Sequence, residues 1–325
     1  MKSRQNKHYT TEEENFLKDN FSNRDLKKSY FENKLNRTWS SIQGHANRIG
    51  LSRDYKWTKE DIEYLKEFYP DFTVSIESIC AKLNRNRNTI AAMAHKLNIP
   101  KRKTPINSNY FNEMNSWEKW YILGFLFTDG CNHTRSKDIC IELQEEDLYI
   151  LKKIKDCLNF KGNLHENKQR IKNGKKVKKT WGLGFRDKQI SEKLEELGMV
   201  KNKSLILEWP KNIPKEFESA FLLGCFDGDG CVTIFKRNKK TFGCGFNFIG
   251  TLSMVENFQR VLIENKIVSL TKLYKHSTNT FQMSYSGQLK SNKIREYLYK
   301  NATMYLTRKK EKFDYIFKYV ALTKY

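Results

Sequence analysis

No stretch of this 325-residue chain stays apolar for the roughly 20 residues a bilayer-spanning helix requires. The opening segment, Met1-Lys-Ser-Arg-Gln-Asn-Lys7, has no hydrophobic signal core, so the sequence predicts a soluble, intracellular protein of cytoplasm, nucleoid or organelle matrix, with no membrane partner. Seven cysteines form an odd set without a C-x-x-C pair, which argues against a disulfide scaffold or a zinc ribbon. The six histidines, His8, His45, His95, His133, His165 and His276, are scattered without H-x-x-x-H spacing, so a zinc hydrolase is not expected. A Walker-type Gly-Lys-Ser/Thr loop is absent, and with it the signature of ATP use. Acidic residues are also scarce: 37 Asp and Glu stand against 60 Lys and Arg, for a formal net charge of +23. The excess is spread along the chain, which favours a polyanionic partner; charge alone does not choose DNA over RNA.

Against that background two segments stand out. Ile122-Leu-Gly-Phe-Leu-Phe-Thr-Asp-Gly130 and Leu222-Leu-Gly-Cys-Phe-Asp-Gly-Asp-Gly230 are one apolar helix ending in Asp-Gly, written twice. Each is apolar enough to be buried, yet each puts an acid, Asp129 or Asp229, in the last turn, where the helix dipole disfavours negative charge. Gly130 and Gly230 are expected as left-handed caps. Gly124 with Thr128, and Gly224 with Gly228, make a low ridge on each helix, so the two can approach closely and bring the acids together. Two such carboxylates repel unless protons or cations are shared, and oxygen-only ligands suit Mg²⁺. After each motif the periodicities repeat: strands 131–137 and 138–144, helix 146–158, strands 163–171 and 179–186, helix 188–197; then strands 231–237 and 242–251, helix 253–265, strands 270–276 and 280–286, helix 288–299. That is αββαββα, twice.

From about Ser116 to Tyr325, roughly two thirds of the sequence, the chain resembles the LAGLIDADG homing endonucleases in their single-chain, two-motif form. The resemblance implies an α+β fold of two pseudo-symmetric αββαββα half-domains, 116–200 and 216–325 joined by a connector 201–215, whose saddle-shaped antiparallel sheets lie in the DNA major groove. It implies a monomer that cuts both strands of a long asymmetric duplex target to leave short 3′ extensions, as in intron homing. Asp129 and Asp229, with the carbonyls of Thr128 and Gly228, would hold two or three Mg²⁺ ions, for which Mn²⁺ substitutes. Arg186 would be the assisting basic residue of the first half; the second half offers Ser286 and Lys290. The first motif departs from the family at its sixth position, Phe127, where the second keeps Asp227. An RNA maturase acting on an intron transcript, and a non-cleaving transcription regulator, stay open as alternatives.

Upstream lies a second repeat, aligned without a gap at an offset of 48 residues. Tyr9-Thr10-Thr11-Glu12 matches Trp57-Thr58-Lys59-Glu60, and Leu35-Asn36-Arg37 matches Leu83-Asn84-Arg85. Thr10 and Thr58, each three residues before an acid, are predicted N-caps. Two small all-α tri-helical units, 1–54 and 55–102, follow, with 103–115 as a basic linker. The units resemble Myb-like helix-turn-helix modules, which would send Arg37, Ser40 and Gln43, then Arg85, Asn86, Arg87 and Asn88, into a major groove. In the two-motif region, period two in the strands predicts DNA-facing sets: His133, Arg135, Lys137 and Gln144 in the first half, Thr233, Phe235, Arg237 and Lys239 in the second.

Overall fold

A computed structural model of the chain describes residues 8–23, 26–51, 57–100, 102–167, 171–172, 175–176, 178–200, 203–236 and 242–320. Two compact units result, Met1–Lys103 and Thr104–Tyr325.

In the first unit the capping residues start helices where the sequence predicts. Thr10 and Thr58 each form a reciprocal capping box, with Glu13 and Asp61, at the head of α1 (Thr11–Asn20) and α4 (Lys59–Phe68). Then come α2 (Lys28–Leu35), α3 (Trp39–Arg48), α5 (Ile76–Lys82) and α6 (Arg87–Lys96), so corresponding helices begin 48 residues apart. Each trio closes over its own core, Leu17, Phe31 and Ile42 in one repeat, Leu65, Ile79 and Ile90 in the other.

The second unit is built on α7 (Trp117–Asp129) and α10 (Glu218–Asp229), which pack along each other inside the core. Their contact is backbone against backbone. A Cβ on Gly124 would run into the Phe221 carbonyl, one on Gly224 would lie 2.7 Å from the Phe125 nitrogen, and one on Gly228 would overlap the Thr128 side chain. Only a hydrogen at these positions allows the approach. Gly130 and Gly230 are extended, with φ −84° and −85°, not the left-handed caps expected. The chain leaves each helix directly into a strand, and glycine is required because a Cβ would strike Leu126 or Phe226 in the preceding turn.

From those strands two antiparallel sheets grow with the same order. In the first half β1 (Gly130–His133), β2 (Asp138–Gln144), β3 (His165–Asn167) and β6 (Thr180–Arg186) run β1-β2-β6-β3, with β4 (Ile171–Lys172) and β5 (Lys175–Lys176) as a separate pair. The second half has β7 (Gly230–Lys236), β8 (Phe242–Gly250), β9 (Tyr274–Lys275) and β10 (Phe281–Ser286) in the order β7-β8-β10-β9. One face of each sheet is covered by helices: α8 (Leu148–Cys157) and α9 (Lys188–Glu196) in the first half, α11 (Leu252–Glu264) and α12 (Gln288–Tyr299) in the second. Ile139, Ile141 and Leu143 point into that core, leaving Cys140, Glu142 and Gln144 on the other face, as the alternation predicts.

Four departures from the predicted elements bear on function. Strand β1 stops at His133, because the Lys137 amide closes a turn on the His133 carbonyl and Lys137 is left-handed (φ 61°). Arg135 and Lys137 therefore lie in a turn, not on a strand face. The strand expected over 270–276 shrinks to Tyr274–Lys275, leaving Leu270 exposed. A helix absent from the sequence prediction, α13 (Thr307–Tyr315), follows α12. Lastly, residues 104–115 are docked: Pro105 and Asn107 pair with the backbone of Lys161 and Leu158, and Tyr110 and Phe111 are buried. No helix among the described residues is long and apolar enough to cross a membrane.

Candidate active site

The seam between α7 and α10 delivers Asp129 and Asp229 side by side at the helix ends. Both residues are exposed, and among the described residues no hydrogen bond or ion pair to either carboxylate is found. Although their tips reach solvent, crowding by the surrounding protein thins the water around both carboxylates and raises both pKa values, and the charge of Asp229 raises that of Asp129 further. Opposing this are Lys203 and Lys309, whose charges favour both ionised carboxylates.

Neither lysine was singled out in the sequence. Lys203 sits in a 3₁₀ turn (Lys203–Leu205) and donates to the Phe127 and Thr128 carbonyls at 2.7 and 2.5 Å. Lys309 sits on α13 and donates to the carbonyls of Phe226, Gly228 and Gly230 at 2.7, 3.0 and 2.6 Å. Lys203 and Lys309 thus each reach carbonyls in the last turn of a motif helix, although the Phe226 carbonyl also accepts the Gly230 amide and Gly230 already belongs to β7. Burial lowers both lysine pKa values, that of Lys309 to about 8 despite the pull of Asp227. An ammonium has three donors, so Lys309 is saturated by backbone while Lys203 has one N–H beyond its two carbonyls. Beside the second carboxylate a cavity of about 400 Å³ is lined by Gly228, Gly230, Cys231, Arg308, Lys309 and Lys312.

The segments carrying the lysines are moored across the seam. In the second half, Tyr149 donates to the Tyr305 carbonyl at 2.9 Å, and Arg308 pairs with buried Asp147 at 2.9 Å, at the N-cap of α8. In the first half, the strap after Lys203 is held by Thr251, the N-cap of α11, which donates to the Leu207 carbonyl at 2.5 Å. The sixth motif position breaks the symmetry. Phe127 packs in an edge-to-face contact on Phe221, whereas Asp227, fully buried, accepts from Tyr121 Oη and the Leu306 amide, both at 2.8 Å. Loss of water around the Asp227 carboxyl pushes its pKa up to about 7 against these two bonds and the Lys309 charge.

Other predicted residues fall elsewhere. Arg186 is exposed and paired bidentately with Asp138 at 2.8 and 2.9 Å; Lys203, Lys309 and Arg308, not Arg186, are the cations that act on Asp129. His133 and Gln144 are exposed on the uncovered face of the first sheet, and on that of the second Phe235 is exposed and Thr233 half-buried. Lys137 pairs with Glu192; Arg237 and Lys239 lie outside the described residues. In the helical repeats, Arg37 grips Glu13 at 2.9 and 3.0 Å and lies over the Tyr9 ring at 4.0 Å. Arg85 likewise reaches Asp61 and covers Trp57 at 4.3 Å. Both arginines lie in the turn just before the third helix and tie it to the start of the first. Asn86 caps α6, while Ser40, Gln43, Arg87 and Asn88 are exposed at the starts of α3 and α6.

No protein-family model matches the chain. One curated protein, the uncharacterized protein Lin1255/Lin1742 of Listeria innocua serovar 6a, is 31% identical over 91 residues, and the chain spans only 39% of its length. Among solved structures the chain is similar to the I-LtrWI LAGLIDADG homing endonuclease bound to target DNA, at 12% identity and a TM-score of 0.44, over 67% of this chain and 92% of that one. It is also similar to the LAGLIDADG meganucleases I-AabMI and I-CpaMI bound to uncleaved DNA, at 16% and 12% identity and TM-scores of 0.44 and 0.45, each over 63% of this chain and 91% of theirs.

Proposed function

We propose that this chain is a site-specific DNA endonuclease of the LAGLIDADG homing type, making a metal-dependent double-strand break in a long asymmetric duplex. The observation that carries the reading is the pair of carboxylates, Asp129 and Asp229, held together at the ends of two glycine-seamed helices and ringed by Lys203 and Lys309. A structural helix pair gains nothing from two adjacent anions at its negative ends. The donor set fits Mg²⁺: two solvent-reached carboxylates, oxygen donors only, with the Thr128 and Gly228 carbonyls beside them keeping one lone pair each beyond the bond from Lys203 or Lys309. Mg²⁺ held there supplies Lewis-acid stabilisation of the phosphoryl group and of the leaving 3′ oxygen. The chain's own residues do the rest. Asp129 and Asp229 would hold the cation that receives the phosphates of the two strands, Lys203 directs its remaining N–H at a phosphate oxygen, and Lys309 and Arg308 offset phosphate charge on the other side. Side chains on the two uncovered sheet faces, His133 and Gln144, Thr233 and Phe235, contact base edges, and the net charge of +23 sets a salt-dependent affinity. The helical repeats extend the footprint through Ser40, Gln43, Arg87 and Asn88.

The test is selection of cleaved sites from a random duplex library with Mg²⁺. Asp129→Asn and Asp229→Asn should each abolish coordinated scission while leaving binding to the selected site within a few-fold. Normal cutting by both variants would reject the site.

A further inference from the structure

We infer that Cys131, His133 and Cys140 form a binding site for a soft divalent cation of the Zn²⁺ type on the uncovered face of the first sheet. The sequence hides it, because the ligands come from two strands and their spacing follows no metal motif. The hairpin register assembles them: Cys131 lies directly opposite Cys140, and His133 is two residues along β1, on the same face as Cys131. Their ligand atoms all lie within 4.8 Å of one another, a proximity that among the described residues no other trio of His, Cys, Asp and Glu reaches. Cys131 Sγ stands 3.3 Å from His133 Nε2. Around a tetrahedral zinc, with Zn–S near 2.3 Å and Zn–N near 2.0 Å, the S···N and S···S separations are about 3.5 and 3.8 Å. The trio is therefore nearly organised for the ion, with Nε2 as the imidazole ligand.

Chemistry and access agree with this. Both cysteines are half-buried and reduced, and His133 is exposed, so an ion reaches them from the solvent side. Two thiolates and a neutral imidazole favour Zn²⁺ over Mg²⁺, which selects oxygen. Three protein ligands leave a fourth position for water or another small ligand. The other half lacks the arrangement: Cys231 faces Asn247, and Thr233 occupies the place of His133. The site thus belongs to one half alone and is chemically distinct from the carboxylate pair.

The full-length protein, reduced with a phosphine and free of Mg²⁺, is titrated with Co²⁺ and then with Zn²⁺. One equivalent of Co²⁺ should give the intense visible bands of tetrahedral coordination with a thiolate charge-transfer band, displaced by Zn²⁺. Cys140→Ser and His133→Ala should each weaken binding by about tenfold or more, while Cys231→Ser and Asp129→Asn leave it unchanged. Zn²⁺ should also raise the melting temperature of the wild type but not of Cys140→Ser, with circular dichroism confirming that both are folded. Absence of a thiolate band at one equivalent, or a band that survives Cys140→Ser and His133→Ala, overturns the assignment.

Discussion

The two halves of the second unit share a strand order and a motif helix, yet they position their lysines by different means. Lys203 is held by two carbonyls in a three-residue turn, while Lys309 rides on a helix, meets three carbonyls, and has its segment pinned by Asp227 through the Leu306 amide. Where the first half has Phe127 in an apolar contact, the second has a buried acid. Duplicated architecture therefore does not impose duplicated electrostatics. The first lysine keeps one N–H beyond its two carbonyls, and the second spends all three on backbone.

The strongest way to break this comparison is to break the seam both halves share. Gly224→Val should destabilise the second unit by more than about 3 kcal/mol, since the added carbons meet backbone that cannot move aside; chemical denaturation gives the value, and a loss under 1 kcal/mol would contradict the close approach. Next in size, Lys309→Met should cost about 2–4 kcal/mol by removing the ammonium shared by the Phe226, Gly228 and Gly230 carbonyls, of which Phe226 keeps the Gly230 amide. Lys203→Met should cost less stability but slow cleavage of one strand about 100-fold, so that nicked duplex accumulates. Equal losses of stability and rate in the two lysine variants would erase the distinction. Asp227→Asn should cost about 1–3 kcal/mol by weakening two buried bonds, while the partner substitution Phe127→Leu costs about 1 kcal/mol, both read from urea midpoints. Smallest is Arg186→Ala. Asp138, paired with it, has its pKa held down to about 2, so the pair's contribution is present above the usual carboxylate pKa and lost as pH falls toward 2. Because the pair is solvent-exposed, the variant should melt within a degree or two of wild type at pH 7 and cleave normally, and the two should converge in acid.

Much of this was legible in the chain. Small residues four apart on two apolar helices announced the seam, and period two in the strands sorted Ile139, Ile141 and Leu143 from Cys140, Glu142 and Gln144 because one face is buried. The lysines escaped because Lys203 and Lys309 lie past the last periodic helix of each half, among many other lysines, and act only through carbonyls distant in sequence. Gly130 and Gly230 were legible as necessary but not for the right reason: close approach to the preceding turn is indistinguishable in sequence from a positive φ. Arg37 and Arg85 look like base readers at the head of a recognition helix. Their recurrence with Tyr9 and Glu13, then Trp57 and Asp61, in both repeats was the available sign of a tertiary clasp.

The crossed moorings carry a consequence for how the halves relate to each other. A homodimer built from either half would have to seat its strap on its own kind of helix cap. The first strap offers a carbonyl that wants a hydroxyl like that of Thr251, but would find the carboxylate of Asp147; the second offers Arg308, and would find only a threonine. The duplicate modules have become lock and key to one another, so neither can be exchanged for a second copy of its twin.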